Sequence, residues 1–198
     1  MTYGCIDMKT ITIIKIAAYD PTMSGQYSMY RGYCLSTLQE IQPHIKPVER
    51  TVEPKKGTAV LCSTLTRSQE TALLLRPRPK PTKLLNEIRF DLGQLLSERE
   101  FNAYGSSLVR ERFVQAFTED SLLEQRVEVI RRVRALLGYL SSLEEGDILC
   151  VSHSFFMKVL EAYIKTGGEL ERRSELLANF ISTKRHTYPY MEGFDFEL

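Results

Sequence analysis

The chain has 198 residues, 43 % of them hydrophobic and 26 % charged, with a formal net charge of +1. These proportions describe a single domain with a real core and exclude a low-complexity or disordered chain. With 26 basic residues against 25 acidic ones there is no field to collect nucleic acid or a membrane surface, and no apolar run is long enough to span a bilayer. The first residues lack the basic-then-apolar order of a signal peptide, so a cytoplasmic location is expected. Cys5, Cys34, Cys62 and Cys150 show no metal-ligand spacing. They read as small hydrophobes in a reducing compartment, and neither a metal nor another cofactor is expected.

The β-branched run at 10–14 predicts a first strand, which ends at Lys15 and Ile16 before a turn-rich loop at 19–25. Apolar spacing predicts a helix over 31–41, stopped by Pro43. Residues 44–56 read as a polar surface connection, and 58–62 as a second strand. Thr66 and Gln69 have the spacing of a capping box opening a helix to about Leu75. Arg67 then lies in the first turn of that helix, where a cation opposes the helix dipole unless an anion sits in front of it. The basic, Pro-rich hexapeptide at 76–81 reads as an extended linker, and 83–85 as a short edge strand. Residues 97–117 read as a charged helix broken near Gly105, and 86–120 as an insertion or lid within one domain spanning 1–198.

Ser121 and Glu124 suggest another capping box, followed by apolar residues from Leu123 to Leu140 at steps of three and four, the clearest helical pattern in the chain. Ile148 to Val151 is a third core strand. Ser152 is the expected cap of a helix carrying Phe155, Phe156, Val159 and Leu160, which puts His153 where a strand stops and a helix begins. Residues 179–183 and 188–196 read as edge strands. Three apolar strands separated by helices imply an α/β fold, a three-layer α/β/α sandwich around a mostly parallel sheet. All three strands deliver polar groups at their C-terminal ends: Lys15, then Ser63 and Arg67, then Ser152 and His153. Two cations and a histidine on one sheet edge suit a phosphate or similar anion.

With these residues in place, the chain resembles the histidine phosphatase superfamily, the phosphoglycerate-mutase-like fold. The segment 62–72, Cys-Ser-Thr-Leu-Thr-Arg-Ser-Gln-Glu-Thr-Ala, resembles the Ser-x-Leu-x-Arg signature after the family's second strand. The segment 85–93 resembles its Leu-x-Glu segment, and 124–154 its long helix, strand and second active-site histidine. The resemblance implies that Arg67, Lys15 and Ser63 bind phosphate, that His153 is the second histidine and that Glu87 is the proton donor, with no metal needed. The family's first-strand Arg-His-Gly motif is not matched. Lys15 falls at its arginine, Ile16 at the nucleophilic histidine and Ala17 at its glycine, and an isoleucine has no lone pair with which to accept a phosphoryl group. Of the other histidines, His44 lies in the loop before the second strand and His186 near the C-terminus. Cys62 and Arg67 are one residue too close for a cysteine phosphatase loop.

Two functions therefore remain open. One is a degenerate member that binds a phosphorylated small molecule, inorganic phosphate or sulfate, or a protein partner. The other is an active phosphomonoesterase or phosphotransferase with a relocated nucleophile. An interaction subunit with relic pocket residues is the blandest reading. No nucleic-acid or membrane partner is expected.

Overall fold

The computed structural model describes residues 8–48, 53–182 and 188–198. Its sheet consists of β1 (Thr10–Lys15), β2 (Ala59–Cys62), β3 (Lys80–Pro81), β4 (Asp147–Ser152) and β5 (Gly193–Glu197). The strand order is β3-β2-β4-β1-β5, parallel except for β5, which runs antiparallel to β1. Strands buried on both faces should be almost continuously apolar, and alternate residues serve opposite faces. Ile11, Ile13, Leu61, Ile148 and Cys150 fill one side of the sheet, while Ile14, Val60, Cys62, Leu149 and Val151 fill the other.

The first side is covered mainly by α4 (Glu98–Thr118), α5 (Arg126–Ser142) and α6 (Ser154–Lys165), and the second by α2 (Thr66–Leu75), whose Ala72 and Leu75 join that cluster. The helices α1 (Met29–Thr37), α3 (Leu92–Leu95) and α7 (Leu176–Ser182) complete the set among the described residues. No helix among them is long and apolar enough to cross a membrane. The mixed α/β, three-layer architecture is therefore the expected one. At Gly193 an added Cβ would sit 1.7 Å from the Ile13 carbonyl oxygen, so β5 can lie against β1 only with glycine there.

Several local expectations are corrected. Helix α1 opens at Ser28, whose side chain accepts from Arg31 N, and ends at Thr37, ahead of Pro43. Helix α2 has Leu65 as its N-cap with no side-chain cap bond; the Gln69 amide donates to the Thr64 carbonyl instead. The box expected at Ser121 and Glu124 forms four residues later, at Gln125 and Glu128. Glu124 is drawn away by Arg132 at 2.8 Å and by the Arg89 N–H. The Pro-rich linker supplies β3 at the sheet edge, where a missing N–H is tolerated, and 83–85 is a 3-10 turn. Residues 176–182 are helical, with the expected edge strand confined to 193–197. Gly105 breaks α4 as expected, at φ 58° and ψ −145°. His186 lies outside the described residues.

Candidate functional site

The C-terminal ends of the neighbouring strands β1, β4 and β2 are level with one another. Lys15 pairs with Ser152, Cys62 pairs with Val151, and Ser63 N donates to the Val151 carbonyl at 3.2 Å. Strand β4 lies between β2 and β1, so the chain's crossovers part around this edge and leave a crevice. A cavity of about 470 Å³ opens there, lined in part by Lys15, Ile16, Arg67, Glu87 and His153. The predicted residues thus converge, with one exception. Ser63 is not on the wall; its hydroxyl turns to His153 Nε2 at 2.7 Å. Ile16 is 3 % exposed, and its N–H donates to the Ser152 carbonyl at 2.9 Å, which fixes the backbone immediately after β1. His44 does not line the cavity; its ring is paired with Glu70 at 2.5 Å. Cys62 is a buried strand residue whose thiol is pushed up to about 11 by burial, the reverse of an activated nucleophile.

Arg67 is 3 % exposed, yet its Nε and Nη1 have no hydrogen-bond partner among the described residues. The Tyr19 ring lies 5.1 Å from its guanidinium carbon. Burial lowers the Arg67 pKa, while the nearby Tyr19 and Glu87 act in the opposite direction. Lys15 donates to the Tyr188 carbonyl at 3.2 Å and sits 4.2 Å over the Tyr190 ring, so the returning C-terminal segment holds its ammonium at the cavity. Burial also lowers its pKa.

His153 is 1 % exposed, and its protonation can be assigned from its neighbours. Ser63 Oγ accepts from Leu65 N at 3.2 Å, so its own buried proton has His153 Nε2 as its acceptor. The ring is then the Nδ1–H tautomer, and Nδ1 has no partner among the described residues. Burial first, then the charges of Arg67 and Arg132, hold its pKa well below the usual imidazole range. The histidine is thus a neutral hydrogen-bond donor. A depressed pKa means the unfolded chain binds the proton first as pH falls. The stabilisation is full above about pH 6.5 and is lost as pH falls toward the folded value. As pH falls below about 6.5, the wild type is expected to lose stability faster than His153→Gln in urea unfolding, by up to about 1.4 kcal/mol per pH unit. Equal losses in the two proteins would refute the assignment.

The N-terminus of α6 does not wait for an external anion. Ser152 is the last residue of β4, and its hydroxyl donates to the Leu85 carbonyl instead of capping the helix. His153 occupies the N-cap position without a side-chain bond. The cap comes from Glu87, whose carboxylate accepts from Phe156 N at 2.8 Å, Phe155 N at 3.2 Å and Ile88 N at 3.0 Å. Burial raises its pKa, opposed by these three donors and by Arg67. Arg110, Lys158, Tyr19 and Tyr190 also line the cavity and were not singled out from the sequence. Lys158, a cation inside the apolar stretch 155–162 and itself 2 % exposed, was the one legible signal among them.

The family model for the histidine phosphatase superfamily (branch 1) matches residues 45–184, more than half of the chain, so the protein belongs to that superfamily. The matched span begins after β1 and leaves Lys15 and Ile16 outside it. No curated protein matches. Among solved structures, the product of the open reading frame Rv3214 from Mycobacterium tuberculosis is similar, at 16 % identity over 83 % of this chain and 84 % of that one, with a TM-score of 0.50. An alpha-ribazole phosphatase from Shigella flexneri is 18 % identical over 83 % and 84 %, with a TM-score of 0.48. A phosphoglycerate mutase from Bacillus anthracis is 10 % identical over 96 % and 87 %, with a TM-score of 0.42. Likeness at these identities bears on the fold alone.

Proposed function

We propose that this protein is an anion receptor built on the histidine phosphatase fold. It binds a phosphorylated small molecule or inorganic phosphate and does not pass a phosphoryl group through a phosphohistidine. One observation carries the reading: three buried donors on the cavity wall, Arg67 Nε, Arg67 Nη1 and His153 Nδ1, have no acceptor among the described residues. Buried donors are normally satisfied, and an unfilled set beside a cavity supports a ligand of acceptor oxygens. Lys15 adds charge at the same wall, though without the paired N–H groups of an arginine. Ile16 at the family's nucleophile position offers no atom to phosphorylate. Segments α3 and α4, within the span 86–120, act as the cover of the pocket in a single domain. A cytoplasmic setting fits the buried free thiols of Cys34, Cys62 and Cys150.

The competing reading, an enzyme with its nucleophile elsewhere, is favoured by the presence of both Glu87 and His153 at the pocket. Two measurements separate the two readings. Phosphate or sulfate is expected to raise the melting temperature, whereas incubation with an aryl phosphate is expected to leave no acid-labile, base-stable phosphoryl label and to release no phenol. Turnover that disappears in His153→Ala, or a label on His44 or His186, would sink the receptor reading in favour of the enzyme.

A further inference from the structure

The cavity is much larger than a phosphate group, and its wall is rich in aromatic rings. Their order along the wall is set by ring contacts. The Arg67 guanidinium carbon is 5.1 Å from the Tyr19 ring. Tyr19 meets Tyr33 of α1 edge-on at 6.1 Å, and Tyr33 meets Phe101 of α4 at 5.6 Å. All four residues line the cavity, so a run of rings leads away from the unpaired donors of Arg67. A second pair of rings on the wall starts two residues after His153, where Phe155 packs edge-on against Phe90 at 5.3 Å. In a closed core such rings would have apolar neighbours on every side. Tyr33 and Phe101 are instead half-buried and border a space of about 470 Å³ that no side chain fills. A concave apolar surface left to water gains most from a ligand that covers it. Hydroxyl groups stand on the wall too, but Thr37 donates to the Cys34 carbonyl at 3.0 Å and Ser106 accepts from Arg110 at 3.2 Å. These bonds reduce what the wall can offer to a polyol.

We infer that Tyr33 and Phe101 determine specificity by selecting a ligand with an aromatic ring next to its phosphoryl group, over one with a sugar or polyol body. The inference rests on the anion-receptor reading above and adds the chemistry of the ligand's body. Three non-hydrolysable probes test it by calorimetry, at a pH that leaves all of them dianions: methylphosphonate, phenylphosphonate and dihydroxypropylphosphonate. They share the anionic head and differ in what is attached to it. Phenylphosphonate is expected to bind about tenfold more tightly than methylphosphonate, the return from covering one ring on a wall that is partly open. The polyol probe is expected to gain nothing over methylphosphonate. Phe101→Leu and Tyr33→Leu keep apolar volume but remove a ring, and each is expected to cut the phenyl-to-methyl ratio to about threefold. The ratio is taken within one folded protein, so a general loss of affinity does not move it. A wild-type ratio near one, a polyol probe as tight as the phenyl one, or a ratio unchanged in both variants overturns the aromatic selection and leaves the receptor reading standing. Failure of every probe to bind the folded wild type overturns both.

Discussion

Replacing Glu87 with alanine is expected to lower the free energy of unfolding by about 2–4 kcal/mol, a large fraction of a domain's margin of about 5–15 kcal/mol. The carboxylate accepts from Phe155 N, Phe156 N and Ile88 N, and alanine leaves all three donors without an acceptor. Each orphaned donor costs about 1–3 kcal/mol when shut away from water, and the loss of a negative charge at a helix N-terminus adds up to about 1 kcal/mol. Two effects hold the total below the sum. Removing the group also removes the cost of burying it, the same cost that raises its pKa. Residue 87 is also only half-buried, so water reaches part of the vacated space. Urea unfolding reads the loss directly, and a value within about 0.5 kcal/mol of wild type would show that the cap is not structural. Glu87→Gln separates the cap from the charge. Its amide oxygen can keep one or two of the backbone donors, so a loss of only about 1 kcal/mol is expected. The charge that Glu87 sets against Lys15, Arg67 and Lys158 disappears with it. Phosphate is therefore expected to bind about fivefold more tightly to Glu87→Gln than to wild type. An enzyme that used this carboxyl as its acid would respond differently, keeping its binding and losing turnover.

That cap also marks the limit of what the sequence discloses. The strands were legible because a parallel sheet buried on both faces demands unbroken apolar runs, and 10–14, 58–62 and 148–151 supply them. The convergence of Lys15, Arg67 and His153 followed from strand order alone, since parallel strands bring their C-terminal ends to one edge. Capping was misread wherever a local candidate lost to a distant partner. Ser152 looks like a cap by position, but its hydroxyl finds the Leu85 carbonyl and the helix finds Glu87, 68 residues before Phe155. Glu124 has the spacing of a capping box, but Arg132 outcompetes it from the next turns of α5. No periodicity records such contacts.

The place of Arg110 on the cavity wall was hidden for a related reason. Arg110 lies in a charged helix whose direction changes at Gly105, and a helical pattern cannot say which way the second half turns after a break. The Tyr188–Tyr190 wall is formed by a segment that returns from the far end of the chain to hold Lys15. Fold and charge centre are properties of the apolar pattern; ligand shape belongs to segments that the pattern leaves free.

Replacing Arg67 with methionine is expected to move stability in opposite directions with and without ligand. The guanidinium is 3 % exposed with Nε and Nη1 unpaired among the described residues, so it carries a desolvation cost that no acceptor there offsets. Methionine fills similar space with a flexible apolar chain and brings no donors. It forfeits the contact with the Tyr19 ring and the attraction of Glu87, each a partial offset. The net expectation is a gain of about 1–2 kcal/mol in unfolding free energy without ligand. Phosphate at about a hundred times its Kd should stabilise the wild type by about 2.7 kcal/mol and the variant hardly at all. Adding phosphate should therefore reverse the order of the two proteins in urea. A structural arginine predicts a different pattern, in which the variant is the weaker protein in both conditions and phosphate shifts both equally. The reversal requires that the site be kept at a cost to the fold, which is the thermodynamic mark of a residue retained for a ligand.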